Sequence, residues 1–147
     1  MEPARYLSTY APSGRFGPRG GTWVRNMYSD HTVLETAGQI ILAVFFILHG
    51  VKNVAKWRFN VDRTAALGIP LPAACLIVGF IIQFSGALLV LFDAYTRLGA
   101  VLLIVFTVMS TAMFQRFWSM SDPVRAEYHF LLFTYNICLI GALFLIM

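Results

Sequence analysis

The chain has 147 residues, of which 59% are hydrophobic and 12% charged, and its mean hydropathy is +0.71. Soluble domains carry about twice that share of charge, so this chain cannot cover a water-facing surface of its size, whereas a lipid-facing surface needs almost no charge. The length allows one domain. The net charge of +4, from 11 Lys plus Arg against 7 Asp plus Glu, sits almost entirely between apolar runs. It therefore points to lipid headgroups. No basic helix of the kind a nucleic-acid binder needs is present, so no nucleic-acid partner is expected.

Residues 1–32 form a compositional zone of their own. The stretch Ala11-Pro12-Ser13-Gly14-Arg15-Phe16-Gly17-Pro18-Arg19-Gly20-Gly21 cannot sustain a helix or strand. It contains no apolar leader region, so no cleaved signal peptide is expected. Aromatic residues lie among its arginines, unlike a plain disordered tail. The segment is expected to lie along headgroups or drape over a partner subunit, with Arg15, Phe16, Arg19, Trp23 and Arg25 as docking residues.

Four apolar runs follow, at about 33–54, 71–92, 98–117 and 128–147. Each approaches the ~20 residues that cross a hydrocarbon core of ~30 Å. Without water the backbone must satisfy its own hydrogen bonds, and a helix does this within one segment. The expected fold is all-α, an integral membrane four-helix bundle over residues 33–147 behind an irregular N-terminal extension. Gly68-Ile69-Pro70-Leu71-Pro72 breaks the chain before the second run. Asp93 to Arg97 is a short turn that makes the second and third helices antiparallel neighbours. Asp122-Pro123 reads as a cap followed by a first helical residue. Trp57, Phe59, Tyr95, Trp118 and Tyr128 sit where interfacial aromatic belts are expected.

Four spans place both termini on one side, here side A, with the loops after the first and third helices on side B. Arg5, Arg15, Arg19, Arg25 and Arg97 fall to side A, against Lys52, Lys56, Arg58, Arg63, Arg116 and Arg125 on side B. The division is near even, so the positive-inside rule does not set orientation. The termini are assigned to the cytoplasmic side as a working expectation.

Candidate chemistry gathers on side B. His49 ends the first helix and His129 opens the fourth. With Lys52 as a donor and Trp57 and Trp118 as walls, they make a candidate quinone or ligand site. Charge at helix ends, snorkelling to headgroups, is the simpler explanation of these positions. Haem is disfavoured, since only Gly50 offers the small residues that let helices part around a macrocycle, and a metal would want more ligands than two imidazoles. Deeper in the spans, Gln83, Ser85, Ser110, Thr111 and Asn136 are expected to act as interhelical polar contacts. Cys75 and Cys138 lie in apolar runs, away from metal-ligand spacing, and read as small hydrophobes. No P-loop, dinucleotide fingerprint, nucleophile elbow or zinc motif is present, so the chain binds no cofactor through motifs of its own.

Three stretches carry a family resemblance. The first is Phe45-Phe46-Ile47-Leu48-His49-Gly50-Val51-Lys52. The second runs from Gly79-Phe80-Ile81-Ile82-Gln83-Phe84-Ser85-Gly86 to Tyr95-Thr96-Arg97-Leu98-Gly99-Ala100. The third is Asn136-Ile137-Cys138-Leu139-Ile140-Gly141. Their order and spacing over about residues 36–147 resemble the DoxX family of small four-helix membrane proteins. The sequence departs from that pattern where the family has a glutamate, here Gln83, and an early arginine, here Gln39. A glutamine can hydrogen-bond a ligand but cannot exchange a proton. The resemblance implies a bacterial inner membrane and association with membrane redox systems, since namesakes are subunits linked to terminal quinol oxidase and to thiosulfate:quinone oxidoreductase. A fold resemblance does not supply a function. The expectation is therefore an accessory transmembrane subunit of a respiratory or photosynthetic electron-transfer complex, without its own redox centre. Its partners would be lipids and other transmembrane subunits. A quinone-linked component acting through His49, Lys52 and His129, and a small transporter or lipid-binding protein, are the alternatives.

Overall fold

The computed structural model describes residues 31–147. The extension with Arg15, Phe16, Arg19, Trp23 and Arg25 lies outside the described residues. The described chain is an all-α membrane helical bundle: α1 (Val33–Ala55), α2 (Trp57–Ala66), α3 (Pro72–Leu91), α4 (Thr96–Phe114) and α5 (Pro123–Leu145). All but α2 are long and apolar enough to cross a membrane.

Local chemistry explains the boundaries. α1 opens with a capping box: Glu35 N–H donates to Thr32 Oγ1, and the Glu35 carboxylate accepts from Thr32 N–H at 2.7 Å. α5 starts at Pro123 because the Asp122 side chain accepts from Val124 N–H at 3.0 Å. The apolar run alone misses this first turn, since Arg125 and Glu127 interrupt it. α4 ends at Phe114, short of the expected 117, and a single 3₁₀ turn over Phe117–Ser119 follows. The largest departure is α2. Its residues carry too much charge to read as apolar, and the sequence suggests only a loop there. It packs mainly on α3 and closes with Gly68 at φ 75°, whose N–H bonds to the Ala65 carbonyl.

The spanning helices pack in the order α1, α3, α4, α5, with α3–α4 the most extensive interface and α1–α3 next. Lipid tails are as apolar as leucine, so close packing and hydrogen bonds hold such helices together rather than exclusion of water. The α3–α4 seam shows this. A Cβ on Gly99 would stand 2.7 Å from the Gly86 carbonyl oxygen, and one on Gly86 would stand 3.0 Å from that of Gly99. Only hydrogen side chains permit this approach. Around it Ala43, Phe46, Ala87, Val90, Ala100 and Leu103 form the core, with Leu143 reaching in from α5.

α5 is different in kind. Within the most apolar stretch of each span, 22% of residues are buried in α1, α3 and α4 but 6% in α5. Aromatic contacts of Phe117 with Phe130 and Phe133 hold its side-B half. At side A, Arg97 Nε donates to the Met147 carbonyl oxygen at 2.7 Å.

Candidate functional site

Two buried glutamines bind α1 to α3 reciprocally. From α1, Gln39 Nε2 donates to the Val90 carbonyl at 2.8 Å, and from α3, Gln83 Nε2 donates to the Phe46 carbonyl at 2.8 Å. Both side chains are 1% exposed. A helix carbonyl can accept this second bond without losing its own, and a donor at membrane depth needs a partner. Gln83 Oε1 is left buried and without one.

At side A, Gln39 extends into a wider cluster. Its Nε2 also lies 3.0 Å from Asp93 Oδ1, and Thr96 Oγ1 donates to the same carboxylate oxygen. The other carboxylate oxygen, Oδ2, is 3.3 Å from His31 Nε2. Asp93 occupies a helix-terminating position with φ 49°. Its N–H bonds to the Val90 carbonyl and that of Ala94 bonds to Leu89, which satisfies two carbonyls at the end of α3. Glycine usually fills such a position, and aspartate is among the few residues that tolerate it. The substitution places a carboxylate where α1, α3 and α4 converge. An open recess of about 520 Å³ lies beside it, lined by His31, Asp93, Thr96, Arg97 and Met147 among others. This convergence of a carboxylate, an imidazole, an amide and a hydroxyl was not singled out from the sequence.

The α1–α4 framework carries a family signature. The DoxX family model matches residues 36–116. The chain belongs to the DoxX family. It is also 25% identical over 114 residues to the inner membrane protein YphA of Escherichia coli (strain K12), covering 78% of this chain and 81% of that protein. Comparison with solved structures finds no match. The DoxX match takes in α1 to α4 and stops before α5, whereas the sequence resemblance was carried to residue 147. Gln39 and Gln83, which the sequence comparison singled out, make the reciprocal α1–α3 bonds just described.

The side-B residues do not form one site. His49 is exposed, stacks on Phe45 at 4.1 Å and has Nδ1 3.1 Å from the carbonyl of that residue. Lys52 is exposed, Trp57 packs towards Phe80, and Trp118 is 66% exposed beside Phe117. Among the described residues no hydrogen bond, ion pair or ring contact joins His49, Lys52 or Trp57 to Trp118 or His129. His49 is exposed, whereas His129 is half-buried. His129 has its Nδ1 buried without a hydrogen-bond partner and its ring packed edge-on to Tyr128.

The polar residues of the spans divide. Asn136 on α5 donates to Thr111 Oγ1 on α4 at 2.7 Å, and Gln83 joins α3 to α1. Ser85 and Ser110, expected to bridge helices, bond to the carbonyls of Ile81 and Thr107 within their own helices. A hydroxyl on a short stem reaches back one turn more easily than across an interface. Among the described residues no group of three or more His, Cys, Asp and Glu side chains is arranged to hold a metal.

Proposed function

We propose that this DoxX protein is an accessory transmembrane subunit of a larger membrane redox assembly in a bacterial inner membrane, docking on its partner through the outer face of α5. The supporting observation is the state of Tyr135. It sits near the middle of α5, is 69% exposed, and among the described residues its hydroxyl has no hydrogen-bond partner. A phenol in hydrocarbon without an acceptor is costly. A neighbouring transmembrane helix presenting a carbonyl or hydroxyl would remove that cost. Cys138 and Gly141 are exposed on the same helix, and a Cβ on Gly141 would meet nothing within 4 Å. Small residues there allow a partner backbone to come close. The redox association rests on the family resemblance. Dispersal of His49, Lys52 and His129 removes support for a quinone site among them.

Replacing Tyr135 with a photo-crosslinking residue tests the docking face, with Val108 on α4, 49% exposed, as the lipid-facing control. The expected outcome is a discrete protein adduct at position 135, identified by mass spectrometry as a redox subunit, and lipid adducts at 108. Lipid adducts alone at both positions would contradict docking through α5.

A further inference from the structure

The recess beside Asp93 at side A opens between the start of α4 and the end of α5. Asp93 and Arg97 are both among its walls, together with the apolar Leu98, Ile146 and Met147. Opposite charges therefore border one space. Among the described residues, however, no ion pair joins Arg97 to Asp93 or to another acid.

Each charge keeps unused capacity. An ionised carboxylate has about four acceptor sites. Gln39 and Thr96 take two at Oδ1, and His31 Nε2 stands 3.3 Å from Oδ2. One site on Oδ2 remains, and the Asp93 side chain is 14% exposed, so a ligand can reach it. The guanidinium of Arg97 carries five N–H donors, and its Nε is given to the Met147 carbonyl oxygen. That bond fixes the planar fork against the end of α5. Both Nη nitrogens stay without a partner among the described residues, and Arg97 is exposed.

Such a pair does not suit a simple ion, because Asp93 repels an anion and Arg97 repels a cation. It suits a dipolar group that brings an ammonium to the carboxylate and a phosphate to the guanidinium. The ends of α4 and α5 lie where the spans meet the headgroup layer, and the bilayer supplies that group at this depth. Leu98, Ile146 and Met147 give the glycerol and the first acyl carbons an apolar wall.

We infer that the side-A recess binds the headgroup of phosphatidylethanolamine, with its ammonium on Asp93 and its phosphate on Arg97. The primary ammonium donates an N–H to Asp93 Oδ2, which the methylated nitrogen of phosphatidylcholine cannot do. The inference stands apart from the docking proposed for α5, since Tyr135 is not part of the recess.

Native mass spectrometry of the full chain in detergent tests this, with phosphatidylethanolamine, phosphatidylcholine or phosphatidylglycerol added separately. Wild type should retain phosphatidylethanolamine about tenfold better than the other two, the effect of one charge-assisted hydrogen bond. Asp93→Asn keeps the shape of the side chain and tolerates the φ of 49°. It should lower phosphatidylethanolamine retention about tenfold without lowering that of phosphatidylglycerol. Arg97→Gln should lower both, and Arg58→Gln, an exposed cation on α2, should change neither. Circular dichroism checks each fold; if Asp93→Asn unfolds, the wild-type ranking of the three lipids decides alone. Equal retention of the three lipids by wild type, or an equal fall for both lipids in folded D93N, would overturn the site. Displacement of the lipid by an equal concentration of glycerophosphoethanolamine would overturn the lipid as occupant and leave the free headgroup in its place.

Discussion

The α3–α4 seam and the α4–α5 contact are both made by apolar helices in one short chain, yet they are built differently. The seam brings two glycines into backbone contact, buries Ala87, Val90, Ala100 and Leu103, and lies inside the stretch that defines the family. The α5 contact rests on the Asn136–Thr111 hydrogen bond, a group of aromatic rings near Phe117, and Leu143. Its α5 half lies outside that stretch. Closeness in the seam is useful only within this chain, because nothing else can enter. The small and polar residues exposed on α5 leave open space on its outer face. Close packing is therefore concentrated in α1, α3 and α4, and the docking proposed above is assigned to α5.

Substitutions can break this contrast. The largest effect is expected at Gly99. Gly99→Leu drives a side chain into the Gly86 carbonyl and should cost about 3 kcal/mol or more, read as loss of the folded fraction in a detergent unfolding series. Gly141→Leu on α5 adds the same side chain in open space. It should leave the isolated protein unchanged while releasing it from its assembly. Next is Gln39→Leu, which removes the donor shared by Val90 and Asp93. A loss of about 1–2 kcal/mol is expected, with much of it shared in a double-mutant cycle with Asp93→Ala, because both changes dismantle one network. Smaller still is Asn136→Leu, expected to cost about 0.6 kcal/mol, typical of one hydrogen bond between membrane helices. If Asn136→Leu proved as damaging as Gly99→Leu, α5 would be part of the stable unit and the contrast would fail.

The sequence made the four spans legible because hydropathy is a property of length and composition, and lipid admits few backbone solutions. It hid α2, whose Arg58, Asp62 and Arg63 look like part of a solvated loop until they are seen on a helix packed against α3. It also hid the Asp93 cluster. The Gln39–Asp93 bond joins positions 54 apart in sequence, and an aspartate in a turn signals a helix end before it signals a carboxylate aimed at another helix. His49 and His129 show the complementary limit. Topology gives the depth of a residue, but its direction around the helix axis depends on packing. The exposed face of Tyr135 could not be read for the same reason, since α5 is apolar on every side.

Extraction of the native membrane in mild detergent tests the central claim most directly, followed by native-gel separation, mass spectrometry and an absorption spectrum, on wild type and a Tyr135→Ala/Gly141→Leu variant. Docking through α5 requires the wild-type chain in a large band with redox subunits and their chromophores, and the folded variant in a small colourless one. A wild-type chain that runs as a small colourless species, indistinguishable from the variant, would contradict it.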